Sequence, residues 1–245
     1  MVSVISVANQ KGGVGKTTTT INLSASIANR GYRVLIVDID PQGNATSGLG
    51  IEKSSIKQDI YNVLIDEIPL KDTILHTSTK RLDLVPATIN LSGAETELIS
   101  MMARETRLKS ALDAVSNDYD FIFIDCPPSL GQLSINAFTA SDSILIPVQS
   151  EYYAMEGLSQ LLNTIRLVQK HFNKDLGVEG VLLTMLDSRT NLGAEVVKEV
   201  QSYFDKKKFI KQLFQESLNW LRHRVMGSRS RNMLPTHAVQ RFTMI

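Results

Sequence analysis

The stretch Lys11-Gly12-Gly13-Val14-Gly15-Lys16-Thr17-Thr18 sits directly behind the apolar run of residues 4–8. A short buried strand, a glycine-rich turn and a helix opening on a Lys-Thr pair leave few architectures open. Such a turn points consecutive backbone N–H groups at an anion, and its glycines let the phosphate oxygens come close. On this reading Lys16 reaches the β- and γ-phosphates of a nucleotide and the Thr17 hydroxyl holds Mg²⁺. Gly12, Gly13, Val14, Gly15 and Thr18 complete the cradle. Lys11 is a second lysine that a generic phosphate loop does not require.

The rest of the chain fits a phosphate loop embedded in one α/β domain. Of 245 residues, 43% are hydrophobic and 21% charged, enough apolar mass for a sizeable core. Runs rich in β-branched residues at 2–8, 33–37, 82–86, 121–125, 143–148 and 178–185 are nearly continuously apolar, as strands covered on both faces are. Helical patterns at 17–30, 93–116, 157–172 and 192–204 separate them. The alternation predicts a doubly wound, mostly parallel sheet with helices on both faces. Cys126 is the single cysteine, which excludes an internal disulfide framework and an iron–sulfur site needing two cluster ligands per chain. No basic segment with a long apolar run precedes the first strand, so a cytoplasmic setting is expected.

In such sheets ligands gather at the carboxyl ends of the strands, and three acidic residues fall there. The run Val34-Leu35-Ile36-Val37 ends in Asp38-Ile39-Asp40, two carboxylates that strand alternation places on one side. Beside a bound triphosphate, one would help hold the Mg²⁺ shell and the other would orient or deprotonate a water. The competing reading is that both acids cap the next segment. The run Phe121-Ile122-Phe123-Ile124 ends in Asp125, placed as a Walker B aspartate reaching Mg²⁺ through water.

At these residues the chain resembles the ParA/MinD family of deviant Walker ATPases, and within it the chromosomal ParA (Soj) branch. The matching runs are Lys11-Gly-Gly-Val-Gly-Lys-Thr-Thr-Thr, Asp38-Ile-Asp-Pro-Gln-Gly-Asn-Ala-Thr46, Asp125-Cys-Pro-Pro-Ser129, Ile146 through Leu158 and Leu183 through Leu192. The resemblance covers about residues 1–205 and implies ATP and Mg²⁺ as ligands. It implies that Lys11 crosses an ATP-bound sandwich homodimer to the partner's phosphates, with Gly12 small to permit the approach. It makes Asp40 the hydrolytic aspartate and places Asp38 and Asp125 around the metal, with Thr17. It further implies non-specific DNA binding by the ATP-bound dimer, stimulation of hydrolysis by a ParB-type partner, and a nucleoid-associated place in a bacterial-type cell. Arg189, in a polar turn after a strand, is a candidate contact to DNA phosphates or an ordinary solvated arginine. The N-terminal DNA-binding extension of larger plasmid-type relatives is not expected.

After about Lys208 the pattern stops. Residues 206–245 hold nine Lys/Arg and one acid, Glu216, which leaves −7 on residues 1–205 for a chain total of +1. Synonymous codons exist for Lys208–Ser230 such that the frame opening on the last base of the Lys208 codon reads Val-Tyr-Lys-Thr-Ile-Ile-Pro-Arg-Ile-Ile-Lys-Leu-Ala-Glu-Ala-Pro-Cys-His-Gly-Leu-Pro-Ile. That is the family's tail in the family's order, and Lys206-Lys207-Lys208 can be encoded by an adenine run prone to slippage. The segment from about Phe209 is therefore read as a frameshift product. An alternative takes Phe209, Leu213, Phe214, Leu218 and Leu221 as one face of a basic amphipathic helix, the device by which MinD-type relatives reach membranes; the upstream motifs favour ParA. Resequencing the gene across the three lysine codons, with an intact mass, tests this. An uninterrupted frame and a mass matching the present tail overturn a sequencing error, and close relatives that read the unshifted tail would show the present one to be aberrant.

Overall fold

The computed structural model describes residues 2–149, 154–185 and 209–210. The six apolar runs become β1 (Ser3–Val7), β2 (Val34–Asp38), β4 (Leu82–Val85), β5 (Phe121–Asp125), β6 (Ser143–Gln149) and β7 (Gly177–Thr184), and two short strands, β3 (Leu75–His76) and β8 (Phe209–Ile210), join them. They form one sheet in the order β3-β4-β2-β5-β1-β6-β7-β8. Every pairing is parallel except the short β3–β4 edge pair. The helices are α1 (Lys16–Asn29), α2 (Asn44–Gly48), α3 (Ile60–Ile65), α4 (Leu91–Glu97), α5 (Arg107–Asp113), α6 (Gln132–Ala140) and α7 (Ala154–His171).

The sheet has a core on each face. One face gathers Ile5, Val7, Ile36, Leu84, Phe123 and Leu145 beneath Leu23, Ile27 and Ala28 of α1. The other gathers Val4, Leu35, Val37, Ile122, Ile124 and Ile146 beneath apolar residues of α3 to α7. This is the expected doubly wound arrangement, and neighbouring residues of each strand serve opposite cores because side chains alternate across a strand. Burial on both faces is why the strand runs carry almost no polar residue until their carboxyl ends.

Where sequence and structure differ, the causes are local. The 93–116 segment is two helices, not one. Met101 turns extended and Ala103 takes a left-handed φ of 51°, although no glycine or proline marks the break. Helix α6 lies where no helix was expected, because Pro127-Pro128 and Gly131 mask its start. The short α2 and α3 and the antiparallel β3 were likewise not expected. Phe209–Ile210 pair in parallel with Val181–Leu182 as a strand, so an amphipathic helix does not begin at Phe209. The 192–204 helix and the remainder of the tail lie outside the described residues. Among the described residues, no helix is long and apolar enough to cross a membrane.

The N-termini of α5 and α6 are completed by neighbouring helices, α6 by α4 and α5 by α6. Neither α5 nor α6 carries a side-chain cap of its own. Glu95 of α4 accepts from the Gln132 N–H at 2.7 Å and the Leu133 N–H at 3.4 Å, capping α6. Asn136 of α6 accepts from the Leu108 N–H at 3.2 Å at the start of α5 and donates to the Arg104 carbonyl at 2.7 Å. A Cβ at Gly131 would lie 2.5 Å from Glu95 Oε2, so the cap needs a glycine there. At Gly43 a Cβ would meet the Ala87 backbone carbonyl at 2.5 Å, and φ is 56°.

These two glycines are expected to differ in cost. Gly131→Ala displaces a flexible carboxylate and loses one helix cap, about 1 kcal/mol. Gly43→Ala strains a left-handed residue against backbone that cannot yield, about 3 kcal/mol. Urea unfolding of both variants checks the ranking, and an equal or reversed order contradicts this account.

Candidate nucleotide site

The carboxyl ends of β1, β2 and β5 converge on one edge of the sheet, and the sequence-predicted residues meet there. The loop turns out of β1 through Gly13, φ 76°, and Gly15, φ 88°, both in the left-handed region that favours glycine. Gly12 has no positive φ, and a Cβ there would meet nothing within 4 Å among the described residues. Lys16 and Thr17 open α1, where unpaired helix N–H groups and the helix dipole favour an anion. The Lys16 side chain is buried, and its ammonium donates to the Lys11 carbonyl at 3.1 Å. Burial pulls that ammonium below its ordinary range, opposed by the carboxylates of Asp125 and Asp40.

Beneath the loop lie two carboxylates side by side. Asp38 and Asp125 are direct partners in the β2–β5 register, and both are fully buried. Asp125 accepts from the Thr17 hydroxyl at 2.7 Å and the Thr20 hydroxyl at 3.0 Å. Asp38 accepts from the Thr46 N–H and hydroxyl, both at 2.8 Å, and from the Asp40 N–H at 3.2 Å. Loss of water raises both acids above the usual carboxylate range, and Asp125 pushes Asp38 further up. The hydroxyl and amide donors oppose the rise.

Asp40 is placed by a turn rather than by strand alternation. Strand β2 ends at Asp38, and two successive side-chain turns follow. Asp38 accepts from the N–H two residues on, and Asp40 Oδ1 accepts from the Gln42 N–H at 2.9 Å. Both acids therefore cap the backbone after them, as the competing reading anticipated, while Asp40 stays at the carboxyl edge with 6% exposure. The Lys53 ammonium donates to the Gln42 carbonyl and fastens the far side of this turn.

The arrangement fits a magnesium-bound nucleoside triphosphate. It offers an N–H cradle, a buried ammonium beside it, and a threonine hydroxyl paired with a carboxylate at the base. The oxygen donors of Thr17 and Asp125 suit a hard divalent cation. Asp38 is the less available donor, because three hydrogen bonds already engage its carboxylate.

Four supporting residues were missed as site residues. Asn9 donates to the Pro147 carbonyl at 2.6 Å and accepts from the Lys11 N–H at 3.0 Å, tying the loop's entry to β6. Thr20 lies three residues beyond Thr17, a helical spacing that could have revealed it. Thr46 accepts from the Ala87 N–H at 3.0 Å while donating to Asp38. Thr184, at the end of β7, donates to the Val14 carbonyl at 2.8 Å from 170 residues away, which no local pattern discloses. Arg189 lies outside the described residues.

Comparison with known proteins bears on this geometry. A family described as an AAA domain matches residues 2–178. The sporulation initiation inhibitor protein Soj of Bacillus subtilis (strain 168) is 64% identical over 204 residues, 83% of this chain and 81% of that protein. The chain belongs to the ParA/Soj family. The chromosome partitioning protein ParA of Myxococcus xanthus (strain DK1622) is 54% identical over 206 residues, 84% of this chain and 73% of that one. Among solved structures, cobyrinic acid a,c-diamide synthase from Mycobacterium smegmatis with bound ADP and magnesium aligns with a TM-score of 0.80 and 40% identity. It covers 84% of this chain and 83% of its own. The family thus carries the P-loop, mostly parallel α/β fold seen here.

Thr46 tests the carboxylate scaffold. Thr46→Val strips a donor from Asp38 and an acceptor from the Ala87 N–H, all buried, and is expected to cost about 1–3 kcal/mol. Thr46→Ser is expected to stay near the parent stability. Denaturant midpoints of the two variants decide it, and equal losses would show that the methyl rather than the hydroxyl matters.

Proposed function

We propose that this chain is an ATP-dependent DNA-partitioning ATPase, acting in chromosome or plasmid segregation. The observation that carries the reading is the Thr17–Asp125 hydroxyl–carboxylate contact at the floor of a lysine-bearing phosphate loop. The partition name of the Myxococcus xanthus relative supports the biological setting, and that protein, at 54% identity, exceeds the diamide synthase, at 40%.

On this reading Gly12, Gly13, Val14, Gly15 and Thr18 cradle the phosphates with their N–H groups, and Lys16 neutralises the β- and γ-oxygens. Thr17 and Asp125 would hold Mg²⁺, with Asp38 behind them as the positioner of the 39–46 turn. The metal would supply Lewis-acid stabilisation of the phosphate oxygens when bound. Asp40 orients the attacking water and takes its proton. Lys11 reaches across a homodimer to the partner's phosphates. The open space around Gly12 supports this, because nothing among the described residues explains a glycine there by crowding. The ATP-bound dimer then binds DNA without sequence preference, with Arg189 on phosphate, and a ParB-type partner triggers hydrolysis at the cytoplasmic nucleoid.

Residues 1–205 carry this ATPase, and residues 206–245 depart from the family. Support comes from the 204 residues over which Soj of Bacillus subtilis matches.

Lys16→Ala is expected to abolish nucleotide binding. Lys11→Ala and Asp40→Ala are expected to bind nucleotide yet release no phosphate above background. Mant-nucleotide titration and phosphate release measure these, and parental turnover in Lys11→Ala overturns the cross-dimer role. DNA retention is expected only with ATP and to fall steeply with salt. Arg189→Ala should lower the slope of log affinity against log salt by about 1. Salt-insensitive or nucleotide-independent retention argues against partition.

A further inference from the structure

The phosphate loop is shaped from behind by a residue outside its motif. We propose that Thr184 is a positioning residue for nucleotide phosphate, setting the orientation of the Val14–Gly15 peptide. The proposal rests on the nucleotide-binding reading of the loop.

Three observations meet at this point. The Thr184 hydroxyl donates to the Val14 carbonyl at 2.8 Å, and both residues are buried, at 2% and 1% exposure. The chain contains no cis peptide among the described residues. In a trans peptide the C=O and the following N–H point in opposite directions. Holding the Val14 carbonyl toward β7 therefore turns the Gly15 N–H away from β7. Gly15 is the residue before Lys16, at the mouth of α1, where the cradle's N–H groups must face the ligand.

The surroundings keep this orientation from drifting. A Cβ at Gly15 would lie 3.5 Å from Thr184 Cγ2, so the threonine methyl backs the glycine at ordinary contact distance. Gly15 sits at φ 88°, a conformation with alternatives nearby in energy for glycine alone. A glycine-rich loop is free to flip its peptides, and a buried acceptor with one fixed donor is what limits that freedom. The loop's entry is held separately, by Asn9 and the adjacent β6.

The hydroxyl and the methyl can be separated by substitution. Thr184→Val keeps the shape and methyl contact but removes the donor. Thr184→Ser keeps the donor and loses the methyl. In the full chain, mant-ADP with Mg²⁺ is expected to bind Thr184→Val about tenfold more weakly than the parent, the scale of an orphaned buried carbonyl. Thr184→Ser is expected within about twofold of the parent, a rescue that general loss of packing would not give. In the nucleotide-free protein, the Gly15 amide resonance should move in Thr184→Val and hold in Thr184→Ser. Parental mant-ADP affinity in Thr184→Val, equal weakening in both variants, or an unmoved Gly15 amide in Thr184→Val each overturns the proposal. If the parent binds no mant-ADP, or Lys16→Ala binds as well as the parent, the nucleotide reading fails. The Gly15 amide then still decides whether Thr184 sets the peptide.

Discussion

Two carboxylates buried shoulder to shoulder, Asp38 and Asp125, set the terms for the rest of the site. Removing a carboxylate from water is expensive, and placing a second beside it is more so. The chain meets that cost with donors rather than with a permanent ion pair. Thr17 and Thr20 serve Asp125, while Thr46 and the Asp40 amide serve Asp38. Each donor belongs to a segment that must be fixed for another reason. Thr17 and Thr20 belong to the helix that opens at the phosphate loop, and Thr46 lies beyond the turn that holds Asp40. The acids therefore organise the loop before any ligand arrives.

Much of this was legible because the loop's chemistry is local. A strand, glycines in register and a Lys-Thr pair are contiguous, so Lys11 through Thr18 could be read directly, and the strand ends gave Asp38 and Asp125. The apolar runs predicted six strands to within a few residues, because burial on both faces leaves an unbroken hydrophobic signal. What escaped was set by contacts distant in sequence. The break between α4 and α5 rests on a left-handed Ala103, a residue with no compositional mark of its own. Asp40 is positioned by side-chain turns that alternation does not describe. Asn9 and Thr184 act on the loop through bonds to or from β6 and β7, and their neighbours in sequence give no hint of it.

The Asp38–Thr46–Ala87 relay extends the site sideways. Thr46 holds Asp38 on one side and the backbone after β4 on the other. That backbone leads into α4, whose Glu95 caps α6, and α6 follows the loop beyond Asp125. The two acid-bearing strand ends are thus joined at the sheet by register and around the outside by this chain of contacts. A displacement of the Asp40 turn has a physical route to the loop after Asp125.

The caps that α4 supplies to α6, and α6 to α5, bear on how this half of the molecule is made. Each of the last two helices begins on a backbone end that another helix must complete. Neither of these two carries a side-chain cap from its own neighbours in sequence, so isolated turns there gain little by forming early. The three segments are built to order together or not at all. Partial opening of this region would then take the form of one cooperative unit leaving the sheet, not of single helices fraying from their ends.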